Sequence, residues 1–116
     1  MNRSDLQGAV INYVIDMYAN AIRVIGIKGI LEGNDKEQIA KLIIEFKKDN
    51  YDMISEMLDD FNYNLYQRTK VIEALDNESN VSVMMVNLYY NDYNTRNRIE
   101  DAPTIIEGES EVKADE

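Results

Sequence analysis

Polar residues along the first third of the chain fall on one line. Asp5, Asn12, Asp16, Asn20 and Arg23 recur in steps of three, four and seven, the spacing that stacks side chains on one face of an α-helix. Leu6, Val10, Tyr13, Val14, Met17, Tyr18, Ala21, Ile22 and Ile25 cover the much wider remainder. The pattern predicts a helix over about Ser4 to Leu31, with Ser4 or Asp5 as its N-cap and Glu32-Gly33-Asn34-Asp35 as its stop and turn. Gly26 and Gly29 are expected to weaken its last turns. A helix that is apolar nearly all round is normally buried, either centrally in its domain or against another subunit. In a short chain the other helices can leave one face uncovered, so self-association through this helix is the favoured expectation.

A second helix is expected from Asp35, with Asp35 as cap and Gln38 at the reciprocal capping-box position. Ile39, Leu42, Ile43 and Phe46 follow at helical spacing. Lys47-Lys48-Asp49-Asn50 reads as a helix end followed by a new cap, yet the apolar phase continues through Ile54, Met57, Phe61, Leu65, Ile72 and Leu75. A helix running unbroken from Asp35 to Asp76 would be about 60 Å long, so a break or bend near Asn50 is expected. Asp76-Asn77-Glu78-Ser79 reads as a turn.

Val81 to Tyr93 fits two patterns. Its β-branched and aromatic residues suit a strand, whereas Val81, Met84, Met85 and Leu88 suit a helix. No second strand offers a partner, so helix is the expectation. Pro103 stops whatever precedes it, and the acidic residues beyond it predict a disordered tail. The expected fold class is therefore all-α. It comprises a small three- to four-helix bundle over residues 1–101, with a long hydrophobic first helix, and a disordered acidic tail over 102–116.

Composition sharpens this by exclusion. Without cysteine or histidine, the chain of 116 residues has no disulfide, no thiol nucleophile, no zinc site built from those ligands and no Ser-His or Cys-His pair. A net charge of −10 argues against direct nucleic-acid binding, which needs a cationic surface. Asn12, Asp16, Asn20, Arg23 and Lys28 interrupt the most apolar stretch and argue against a membrane span. The first residues lack the features of a signal peptide. A cytoplasmic protein is expected, and thirteen asparagines with many isoleucines point to an AT-rich gene, as in phages and mobile elements.

Glu45, Asp49, Asp52, Glu56, Asp59 and Asp60 form an acidic ridge in steps of three and four, opposite Phe46, Ile54, Met57 and Phe61. An ordinary solvated helix face explains it. The functional alternative is an acidic mimic of nucleic acid that inhibits a DNA- or RNA-binding enzyme, with Tyr51, Tyr63 and Tyr66 as contact rings. Asp49-Asn50-Tyr51-Asp52 lacks the loop register and glycine of a calcium site, and no metal or cofactor is expected. Val24-Ile25-Gly26-Ile27-Lys28-Gly29 resembles the Gly-x-x-Gly loop of KH domains over six residues, but Glu32 and Gly33-Asn34 break the helix that should follow. Glycine at a helix end is the better reading.

The Tyr89-Tyr90-Asn91-Asp92-Tyr93-Asn94 patch has the composition of a contact surface. The expected function is a non-enzymatic interaction or assembly subunit that binds itself or another protein. Its candidate contact residues are Tyr13, Met17, Tyr18 and Ile22 on the first helix and Tyr89, Tyr90 and Tyr93 near the end. Polar residues in such an apolar seam, Asp16 and Arg23 above all, need partners that a neighbouring subunit could supply.

Overall fold

A computed structural model describes the backbone of residues 1–101 and the side chains of residues 1–97. Three helices make up this part: α1 (Arg3–Leu31), α2 (Lys36–Asp60) and α3 (Leu65–Asp101). The arrangement is long and thin, 66 × 28 × 18 Å. The acidic segment 102–116, expected to be disordered, lies outside the described residues.

All three helices open with the same reciprocal cap. Asn2 and Asp5, Asp35 and Gln38, and Asn64 and Gln67 each exchange two hydrogen bonds, the side chain of one accepting from the backbone N–H of the other at 2.8–3.2 Å. Two otherwise unpaired donors are satisfied at each start. The first cap is therefore Asn2, two or three residues ahead of the expected Ser4 or Asp5. The ends of α1 and α2 also match. Gly33 (φ 83°) and Asn62 (φ 58°) adopt the left-handed conformation, and the next N–H turns back to a helix carbonyl: Asn34 to Gly29 at 3.0 Å and Tyr63 to Leu58 at 3.1 Å.

The helix boundaries correct two expectations and bear out a third. The chain breaks at Phe61–Asn64 and not near Asn50, where α2 continues as helix; the Asn50 side chain bonds back to the Phe46 carbonyl at 2.8 Å. Asp76-Asn77-Glu78-Ser79 is helix interior, not a turn, and Ser79 is buried with its hydroxyl bonded to the Leu75 carbonyl at 2.7 Å. Val81 to Tyr93 is helical, as the Met and Leu positions implied and the β-branched content did not.

α1 is the centre of the packing. Contacts between Ala19 and Ser82, Arg23 and Met85, and Gly26 and Val86 rise together in number, so α1 and α3 run parallel, with α2 antiparallel between them in sequence. Ile11, Ile15, Tyr18, Ile22 and Ile30 of α1 meet Ile39, Ile43, Ile54 and Leu58 of α2 and Leu75 and Val86 of α3 in one core. Gly26 and Gly29 do not loosen the helix; they let its neighbours approach. A Cβ on Gly26 would lie 2.5 Å from both methyls of Val86, and one on Gly29 would lie 2.8 Å from Ile39 Cγ1.

Candidate interaction surface

The seven expected contact residues separate in the fold. Tyr13 and Met17 stand on the outside of α1, exposed to 65% and 54%. Tyr18 and Ile22 face the other way and are core residues, so they are unavailable to an outside partner. Ile22 is fully buried, and the Tyr18 ring packs against Phe46 with centroids 5.1 Å apart. Burial raises the Tyr18 pKa above the usual tyrosine range, and the nearby Asp76 carboxylate adds to the shift. Tyr89 and Tyr93 are exposed on α3, whereas Tyr90 lies half-buried against the core under the Lys36 ammonium.

Around Tyr13 and Met17 the structure reveals a larger feature. Leu6, Val10, Tyr13, Met17, Asn20, Val24, Ile27 and Leu31 follow one another in alternating steps of four and three along the whole of α1. The seven apolar members are 40–68% exposed. Ile11, Ile15, Tyr18, Ile22 and Gly29 form a second ladder of similar spacing on the opposite side, and that one is the core seam. Two ladders of one period on one helix explain why its polar residues are confined to a narrow line. The signal was present in the sequence, but only the placement of α2 and α3 shows which ladder is covered.

The polar line edges this surface. Asn12, Asp16 and Asn20 are exposed, while Arg23 is partly covered. Its guanidinium donates to Asn20 Oδ1 and lies 3.4 Å from Met85 Sδ on α3. Asp16 has no ion-pair partner among the described residues. α3 contributes a shorter exposed apolar group of its own, Val81, Met84 and Leu88.

All six members of the acidic ridge are exposed on α2. Asp59 is engaged by Arg68, which also donates to Ser55 Oγ at 3.0 Å. Lys41 and Lys48 lie three or four residues from Glu45 and Asp52, so positive charge alternates with the acids on that side. Of the rings placed beside the ridge, Tyr51 and Tyr66 are exposed, while Tyr63 packs on Phe61 with centroids 5.9 Å apart. Among the described residues no three acidic side chains converge as metal ligands would.

Two open grooves separate α2 from α3 and share Tyr51. One, of about 280 Å³, runs from Leu65 past Arg68 and Ile72; the other is floored by Tyr18 and flanked by Ile44, Lys47 and Asp76. No described helix is long and apolar enough to cross a membrane. No family model matches the chain, and searches of curated proteins and of solved structures find no match.

Proposed function

We propose that the protein is a non-catalytic helical interaction module that works by presenting the outer face of α1 to another protein surface, a copy of itself included. The observation that supports this most is the exposed apolar ladder from Leu6 to Leu31. At their exposures its seven apolar side chains offer roughly 700 Å² of surface, more than the few hundred Å² that monomeric proteins usually leave contiguous. A stripe two side chains wide that runs from Leu6 to Leu31 along one helix matches the shape of another helix better than that of a small molecule. A chain without cysteine suits a reducing compartment, and its composition suits a phage or mobile-element gene, so the location we propose is a host cytoplasm, or a virion if the gene is viral.

Photo-crosslinking in cells that carry the protein tests the reading. A photoreactive residue at Met17 should capture a second copy or another protein, and one at Glu56 on α2 should not. No adduct at Met17, or equal capture at both positions, overturns it.

A further inference from the structure

We infer that the outer face of α1 pairs with the same face of a second copy of this chain, the two α1 helices running antiparallel; the inference rests on the interaction role proposed above and names its partner. Three observations carry it. The first is area. Joining two faces that each expose roughly 700 Å² removes up to about 1,400 Å² in total, which reaches the range of specific, stable interfaces.

The second is pattern. The ladder has the period of a coiled-coil seam, and its steps read the same in both directions. A two-fold axis at its midpoint places Leu6 against Leu31 of the second copy, Val10 against Ile27, Tyr13 against Val24 and Met17 against Asn20. Each position thus meets its complement twice, as an isologous interface requires.

The third is charge, and it decides direction. Asp16 and Arg23 each precede a seam residue, on one flank; Lys28 follows one, on the other flank. In a parallel pair unlike flanks meet, and Arg23 would face Lys28 of the second copy. In an antiparallel pair like flanks meet, and Asp16 faces Arg23 of the second copy while Arg23 faces its Asp16. Asp16 has no ion-pair partner within the described residues of one chain. Like charges in register disfavour the parallel pairing, and two opposite-charge pairs favour the antiparallel one.

The purified full chain tests this. Sedimentation at tens of micromolar should show a dimer. Because the sequence holds no other cysteine, Glu32→Cys gives one nitroxide label per chain at the end of α1. Antiparallel pairing puts the two labels about 40 Å apart along the axis, and parallel pairing brings them within about 15 Å. Asp16→Arg should weaken dimerisation about tenfold, and adding Arg23→Asp should restore it to within about threefold, since the swap exchanges the signs and keeps the pairs. A short label distance, or a double variant as weak as the single one, overturns the antiparallel register. A strict monomer overturns the self-pairing. If Met17 nonetheless captures a different protein in cells, the interaction role stands without it; if Met17 captures nothing, both fall.

Discussion

The Ser82 hydroxyl donates to the Ala19 carbonyl 2.9 Å away, joining the middle of α3 to the middle of α1 inside the core. Ala19 already lies in a helix, so its carbonyl accepts this bond in addition to the helical one. The small side chains of Ala19 and Ser82 leave room for the helices to approach here, and the buried hydroxyl is matched. Ser82→Ala should cost about 1 kcal/mol, the usual net worth of one such bond. Ser82→Leu should cost clearly more by forcing the helices apart. Ser79→Ala should cost less than either, because Ser79 bonds only within its own helix. Urea unfolding of the three variants checks the order.

Gly26→Ala should destabilise the protein, although alanine is the better helix former by about 1 kcal/mol. The new methyl would meet both Val86 methyls at 2.5 Å, and valine, branched at Cβ, has no flexible end to move away. Val86→Ala in the same chain should relieve the clash, so the double variant should be more stable than the sum of the two single losses predicts. A simple thermal melt series checks this.

Asn62 holds a positive φ that few side chains tolerate. Asn62→Gly should leave stability within about 0.5 kcal/mol, while Asn62→Val should cost at least about 1 kcal/mol at the α2–α3 turn. Denaturant midpoints of the two variants, compared at unchanged m-value, report the difference.

Tyr18 gives the fold an alkaline limit. Its pKa is raised in the folded state, first by burial and then by Asp76, so the folded protein holds this proton more tightly than the unfolded chain does. Stability from this source is present below the unfolded tyrosine pKa of about 10 and is lost as pH rises above it. Tyr18→Phe should flatten the fall in stability as the pH rises above about 10, relative to the unaltered protein. An equal slope in the variant would refute the assignment.

Much of the architecture could be read from local chemistry. The Asp35–Gln38 cap, the Gly33 turn and the span of the first helix follow from residues a few positions apart, whose physics does not depend on the rest of the chain. The boundary at Asn62 was harder, because the apolar phase from Ile54 to Leu75 carries across it; the decisive signs were asparagine in a left-handed conformation and the Asn64–Gln67 cap. Asp76 to Ser79 has the composition of a turn, but Ser79 is needed inside a helix interface, and packing outweighs propensity there. The surface itself was only half legible. Tyr13 and Tyr18 look alike in the sequence, five residues apart on one apolar helix, and only the position of Phe46 on α2 decides which ring is inside.

The most extensive packing joins the first helix to the last, through partners as far apart as Ala19 and Ser82, 63 residues along the chain. Synthesis therefore completes α1 well before its main partner exists. At about 5–20 residues per second, α1 waits several seconds with both of its apolar ladders open, one facing a core not yet built. A chain cut short before Ser82 would have α2 but not the middle of α3 to cover the inner ladder. The same two-sided helix that leaves the finished protein an exposed apolar face thus makes every incomplete copy prone to aggregate.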